Sequence, residues 1–315
     1  MKIIKKYLIK DQSDLIFTRT DIKNFFKEKN FLYIDFFLLA VMELGTNILK
    51  YPKSGEIWLL QEENDFLLAA LDKGSGIENI EFSKKKGYST SNTLGLGLYQ
   101  LSQHNYYVLE IFSSNKNPHG TVVLLRPKHM TKLVFLTQNY IDLPKSGDFL
   151  FKKGKFIIIG DVSGHGIKAY KSAEFIKNYF YNARFSCLLI DEFFLDLHKQ
   201  LKENKLRSTV LSVVEVDKKG VIICGVGNIN IYLKKNKDIE LLTQKEGIVG
   251  ENYSSVSHYQ LTDFDEIFLF SDGINKKILY NVLKQVDCMY LSLICGIYFS
   301  DIKDDKTILG VKNGL

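Results

Sequence analysis

The chain has 315 residues, 45% of them hydrophobic and 25% charged, and carries a net charge of +6 at pH 7 from 42 basic and 36 acidic side chains. This is ordinary globular composition with ample apolar material for a core, and the length favours about two domains. The basic residues are scattered, with small lysine clusters only at 84–86 and 234–237, so the charge pattern argues against a nucleic-acid-binding stripe.

The segment Met1-Lys2-Ile3-Ile4-Lys5-Lys6-Tyr7 has neither the long apolar core nor the small-residue cleavage site of a signal peptide. The longest apolar run, 289–299, is too short to span a bilayer and reads as a buried segment. Cys187, Cys224, Cys288 and Cys295 show no C-x-x-C spacing and read as buried or idle thiols of a reducing compartment. The expectation is a cytoplasmic protein without a membrane anchor.

Residues 1–10 alternate as a strand, and 14–19 read as a second strand. Thr20 or Asp21 is placed to cap a helix running to Lys27. Residues 33–49 predict a helix, with Phe36, Phe37, Ala40, Val41, Leu44 and Ile48 at helical spacing and Pro52 and Gly55 ending it. Residues 55–61 and 65–72 predict a hairpin, followed by a glycine-dotted loop at 73–93 and a helix over 94–102. Strands at 106–113 and 120–126 complete the first half. Pro127 and the polar residues 128–132 mark the boundary, dividing 1–129 from 130–315. The second half predicts strands at 133–137, 149–151 and 156–159, then helices at 168–180 and 191–203. Strands at 208–216, 220–226, 229–234 and 266–270 follow, then a helix at 281–296 and a strand at 307–311.

In the first half, Glu43 and Asn47 share one face of the 33–49 helix, with Lys50 close to the same side. Asp72-Lys73-Gly74-Ser75-Gly76 ends a buried strand, and Leu94-Gly95-Leu96-Gly97-Leu98 opens a helix whose N–H groups suit a phosphate. His119-Gly120-Thr121 opens the last strand. The order of these pieces resembles the nucleotide-binding boxes of the GHKL ATPase/kinase superfamily. Glu43-Leu44-Gly45-Thr46-Asn47-Ile48-Leu49-Lys50-Tyr51 and Gly87-Tyr88-Ser89-Thr90 resemble its anti-sigma-factor and switch serine kinases, the RsbT type. The resemblance implies that Asp72, with Thr121 nearby, binds the adenine amino group. It implies that Asn47 holds Mg²⁺ and that Glu43 orients or deprotonates the attacking hydroxyl. Gly95, Leu96 and Gly97 would cradle phosphate, Gly74 and Gly76 would belong to the nucleotide-binding set with Asp72, and Lys50, Ser89 and Thr90 would contact phosphate. ATP is the implied cofactor.

In the second half, an apolar run at 156–159 leads into Gly160-Asp161-Val162-Ser163-Gly164-His165-Gly166. Asp161 stands either to hold a metal ion or to cap the following helix. Asp148 precedes a strand, Asp272 ends another, and Asp304 and Asp305 precede the last. Carboxylates gathered at one sheet edge call for hard divalent cations. Together with Ser146-Gly147-Asp148, Gly225-Val226-Gly227-Asn228, Ser271-Asp272-Gly273 and Asp304-Asp305-Lys306-Thr307, the set resembles metal-dependent serine/threonine phosphatases of the SpoIIE/PPM type, most closely the RsbX type.

That resemblance implies an α-β-β-α sandwich in which Asp148, Asp161, the Val162 carbonyl, Asp272 and Asp304 bind two Mn²⁺ or Mg²⁺ ions. His165 serves either as a general acid or, as its place in a turn favours, in a structural or supporting role, and Lys145 and Lys168 stand in for the phosphate-gripping arginine of some relatives. The whole chain is then an α+β protein, a GHKL (Bergerat) α/β sandwich followed by the phosphatase sandwich. The implied function is a kinase-like domain fused to a phosphatase, both acting on a STAS-type partner of a bacterial stress-signalling switch. The alternative is a phosphatase whose first half only binds ATP or docks a partner.

Overall fold

The computed structural model describes residues 1–77, 80, 97–129, 131–140, 146–184 and 189–314. The chain divides into two units, Met1–Met130 with Gln285–Tyr298, and Thr131–Lys284 with Phe299–Leu315.

The first unit opens with β1 (Lys2–Ile9), α1 (Gln12–Glu28) and α2 (Ile34–Lys50). Residues 14–19 are helix and not strand. Leu15, Thr18, Ile22 and Phe26 are buried at helical spacing, while Ile16 and Phe17 face solvent. The Asp11 side chain accepts the Asp14 N–H at 3.0 Å, so the helix starts at Gln12 and not near Thr20 or Asp21. Next come β2 (Gly55–Glu62), β3 (Asp65–Asp72), α3 (Gly97–Ser102), β4 (Tyr107–Ser114) and β5 (Gly120–Pro127). The sheet order is β1-β2-β3-β5-β4, antiparallel throughout. One face carries Ile57, Leu59, Leu68 and Ala70 against Phe37, Val41, Leu44 and Ile48 of α2.

The other face, with Trp58, Leu60, Leu67, Ala69 and Leu71, is buried too. That explains why β2 and β3 read as unbroken apolar runs rather than alternating ones. A helix from far along the chain, α7 (Met289–Phe299), belongs to this unit, and its Tyr298 ring packs edge-on against Trp58 at 5.9 Å. The helix expected over 281–296 is in fact two. The shorter α6 (Lys276–Leu283) stays with the second unit, and the chain breaks at 284–288 to pass to the first.

The second unit stacks two five-stranded sheets. One has the order β13 (Ser257–Leu261), β10 (Gly220–Val226), β9 (Thr209–Asp217), β8 (Phe156–Val162), β7 (Asp148–Lys153). The other runs β12 (Asp238–Leu242), β11 (Asn230–Lys235), β14 (Glu266–Phe270), β15 (Lys306–Lys312), β6 (Leu133–Gln138). Ile157, Ile159, Val214 and Ile223 of the first sheet meet Ile231, Ile267, Leu269 and Leu309 of the second in a dry core. Helices α4 (Ile167–Asn182) and α5 (Ile190–Glu203) cover the outer face of the first sheet through Ala169, Ile176, Phe180, Phe194 and Leu197. Helix α6 lies on the second sheet, where Tyr232 Oη donates to the Lys276 carbonyl at 3.2 Å. The layering is helix–sheet–sheet–helix. Edge strands β12 and β13, five residues each and largely exposed, are not foreseen in the sequence reading. No described helix is long and apolar enough to cross a membrane.

Candidate functional site

Asp148 and Asp161 face each other as cross-strand partners on β7 and β8. Asp161 lies inside the strand, and the N-cap of α4 is Gly166 without a side-chain cap, so Asp161 does not cap that helix. Gly147 closes against this pair: the Val162 N–H donates to its carbonyl at 3.3 Å. Two further loops bring carboxylates to the same place. β14 ends at Phe270, Ser271 Oγ donates to Asp148 Oδ2 at 2.7 Å, and Asp272 follows. The 304–305 turn passes tightly against that loop, where a Cβ on Gly273 would collide with the Asp305 carbonyl. Only glycine allows the approach.

Electrostatics follow from this convergence. Burial first, then the charges of Asp272 and Asp304, push the Asp161 carboxyl up to about 7. Burial and the neighbouring Asp161 also raise Asp148 well above the ordinary carboxylate range. Burial raises Asp304, with the Asp272 charge adding to it and the Asp305 N–H and His165 opposing it. The structure therefore brings Asp148, Asp161, Asp272 and Asp304 together, with Val162 at the end of β8. This all-oxygen donor set, strained by its own charge, fits hard divalent cations.

Four neighbours shape the cluster, and for three of them, Asp305, Asn228 and Arg207, the sequence assigns no role. Both carboxylate oxygens of Asp305 accept backbone N–H groups, from Tyr140 at 2.7 Å and Gly147 at 2.9 Å, so Asp305 ties the Asp148 loop in place. Asn228 Nδ2 donates to Asp272 Oδ2 at 3.0 Å. His165 Nδ1 lies 3.6 Å from Asp304 Oδ1, and the ligand atoms of His165, Asp304 and Asp305 lie within 4.8 Å of one another. Arg207, just before β9, donates from Nη1 to the Ser163 carbonyl at 2.7 Å and fills the space over Gly164, whose φ is +75°. It has no carboxylate partner among the described residues. No spacing in the sequence announces it, because only the β8–β9 pairing carries it to the glycine turn. Of the two lysines considered for this role, Lys168 is exposed in the first turn of α4 and Lys145 lies outside the described residues.

In the first unit, Asp72 ends β3 opposite Thr121 of β5. Its Oδ1 accepts the Gly74 N–H at 2.8 Å, and Thr121 Oγ1 pairs with Ser113 Oγ at 2.9 Å. Burial raises the Asp72 carboxyl, opposed by hydrogen bonds to the backbone of Gly74 and Thr121. Gly55 lies between Ile48 of α2 and Asp72, and Gly74 sits against Pro52, so the end of α2 adjoins this turn. Gly76 packs on Ser114 at the end of β4. Glu43 reaches Gly97 at the start of α3, where a Cβ would collide with Glu43 Oε2. Asn47 and Lys50 lie on the last turns of α2. Ser89, Thr90, Gly95 and Leu96 lie outside the described residues.

No curated protein matches the chain. Among solved structures, it is similar to RsbX in complex with magnesium, at 20% identity, over 57% of this chain and 94% of that one, with a TM-score of 0.48. It is also similar to the serine/threonine phosphatase Stp1 from Staphylococcus aureus (15% identity, 58% and 95% covered, TM-score 0.48). A third is PppA, a regulatory component of T6SS in Pseudomonas aeruginosa (11%, 57% and 96%, 0.48). Residues 152–278, which contain Asp161, Arg207, Asn228 and Asp272, match the family model of Stage II sporulation protein E (SpoIIE).

Proposed function

We propose that the second unit, residues 131–284 with 299–315, forms a metal-dependent phosphatase acting on phosphoserine or phosphothreonine in a protein. The observation that carries this is the meeting of Asp148, Asp161, Asp272 and Asp304 from separate strand ends. The SpoIIE match over 152–278 supports it. These four carboxylates and the Val162 carbonyl would hold two Mg²⁺ or Mn²⁺ ions. When bound, such a pair neutralises phosphate charge and supplies an acidified water for in-line attack. Ser271 and Asn228 orient Asp148 and Asp272 by their hydrogen bonds. Arg207 presents its remaining guanidinium donors to the substrate phosphate. His165 adjusts the charge at Asp304.

We further propose that residues 1–129 bind ATP with Mg²⁺ and transfer phosphate to the same kind of protein. Asp72 and Thr121 would read adenine. Asn47 would hold Mg²⁺, and Glu43, beside Gly97, would orient the acceptor hydroxyl. Backbone groups from Gly95 to Gly97 would cradle phosphate, a job of positioning rather than covalent chemistry. The pairing of Asp72 with Thr121 and the Glu43–Gly97 contact support this reading. The partner is a STAS-type phosphoprotein of a cytoplasmic switch, with its phosphorylation set by the two opposed activities.

The test incubates the full chain with a serine-phosphorylated STAS domain and Mn²⁺ or Mg²⁺. Phosphate release that vanishes in Asp161→Asn and Asp272→Asn is expected. No release with either metal overturns the phosphatase reading. With unphosphorylated partner and ATP, transfer that is lost in Glu43→Ala is expected. ATP binding without transfer reduces the first half to a sensor.

A further inference from the structure

Away from the acidic cluster, three side chains of the second unit form a relay. Cys224 on β10 and His258 on edge strand β13 are direct cross-strand partners. Cys224 Sγ lies 3.2 Å from His258 Nδ1. His258 Nε2 lies 3.1 Å from Asp191 Oδ1, in the first turn of α5. Asp191 can only accept here, so Nε2 carries the proton and Nδ1 is left as the acceptor for the thiol. An imidazole oriented by a carboxylate and directed at a nucleophile is the arrangement that activates a cysteine.

Burial limits what such a thiol can meet. Cys224 is 1% exposed, with its side chain in the apolar layer under α4 and α5, while the His258 and Asp191 side chains are 50% and 63% exposed. No peptide or sugar can reach Sγ. His258 is exposed on the edge strand β13, so a reagent would have to come past the imidazole, which limits it to small molecules. We propose that Cys224, His258 and Asp191 form a modification site for small electrophiles, hydroperoxides above all.

The thiol proton passes from Sγ to His258 Nδ1, and the resulting imidazolium is held by Asp191. The thiolate attacks one peroxide oxygen. The S–O bond forms, the O–O bond breaks, and two electrons pass from sulfur to the peroxide. The departing hydroxide takes the proton from Nδ1 and leaves as water, so thiol plus hydrogen peroxide gives sulfenic acid plus water. The other described cysteines lack this partner set. Burial raises the thiols of Cys288 and Cys295, which belong to the first unit.

The test pulses the folded full chain with hydrogen peroxide, traps sulfenic acid with dimedone, and maps each cysteine by peptide mass spectrometry. Cys224 should react about tenfold or more faster than Cys288 and Cys295. His258→Asn should slow Cys224 about tenfold and leave the other two unchanged, and Asp191→Asn, at an exposed position, should slow it less. A chain unfolded in urea should lose the difference. Cys224 reacting no faster than Cys288 and Cys295, or at the same rate in both variants, overturns the assignment. If His258→Asn fails to fold, Asp191→Asn decides alone.

Discussion

Asp148 and Asp161 are hydrogen-bond-register partners on adjacent strands, so one fold step brings two carboxyls together before any cation arrives. Each is raised by burial and by neighbouring acids, Asp161 from 3.8 to about 7. A carboxyl with a raised folded pKa binds its proton more tightly folded than unfolded. The stability it contributes is complete below 3.8 and is lost as pH rises through about 7. Thermal unfolding of the cation-free protein should therefore show a Tm falling over that window, measured against the same chain with Asp161→Asn. Asn removes the ionisation and should stabilise the cation-free protein by about 1–2 kcal/mol. Added Mn²⁺ or Mg²⁺ should raise Tm of the native chain most near pH 8 and do little for the variant. A Tm indifferent to cations at every pH would remove the metal centre.

Arg207 leans over the glycine turn with one guanidinium donor spent on Ser163. If it grips phosphate, its loss should act on substrate binding more than on the chemical step. Arg207→Ala should raise KM for a phosphoprotein about tenfold while kcat moves less than about threefold. Arg207→Lys, which keeps charge but not the planar fork, should recover only part. An unchanged KM in both variants would leave the residue a purely structural clip on the turn.

The carboxylates at the candidate metal site are legible in sequence because each stands in or next to the end of a strand, with glycine or serine beside Asp148, Asp161 and Asp272, a pattern local to a few residues. What orients them is not local. Asp305 acts through Tyr140 and Gly147, far back in the chain, and Arg207 reaches Ser163 only once β8 and β9 are paired. The strong apolar strands β8 and β14 stand out for the same reason the core does: they are buried on both faces. The misread first helix shows the converse. Ile16 and Phe17 are apolar yet exposed, and they disguise the 3.6-residue period of Leu15, Thr18, Ile22 and Phe26 as a strand. Short polar edges such as β13 carry no pattern of their own and exist because β10 offers them a partner.

Asp72 offers a carboxylate where β3 ends, and a carboxylate can accept from the amino group of adenine but cannot donate to the carbonyl of guanine. Asp72→Asn keeps an oxygen for the Gly74 N–H and adds an NH₂ donor. Calorimetric titration should show ATP affinity falling about tenfold or more, with the preference for ATP over GTP shrinking or reversing. Equal affinities for both nucleotides in the native chain would remove Asp72 as the base reader, and no binding of either would end the nucleotide reading of residues 1–129.

The edge-on contact of Tyr298 with Trp58 joins the last long helix of the chain to a strand of the first unit. Trp58 is 2% exposed. Truncating the ring should leave a cavity against the indole. Tyr298→Ala is expected to destabilise the first unit by about 3 kcal/mol. The loss should be local: hydrogen exchange should quicken at β2 and β3 amides while those of β9 and β10 keep their protection. Tyr280→Ala, a half-exposed ring on α6, serves as the comparison and should cost much less. A chain ending before Gln285 should expose the Trp58 face and lose stability in residues 1–130 as well. Unaltered exchange at β2 in Tyr298→Ala would mean that the sheet stands without its distant helix.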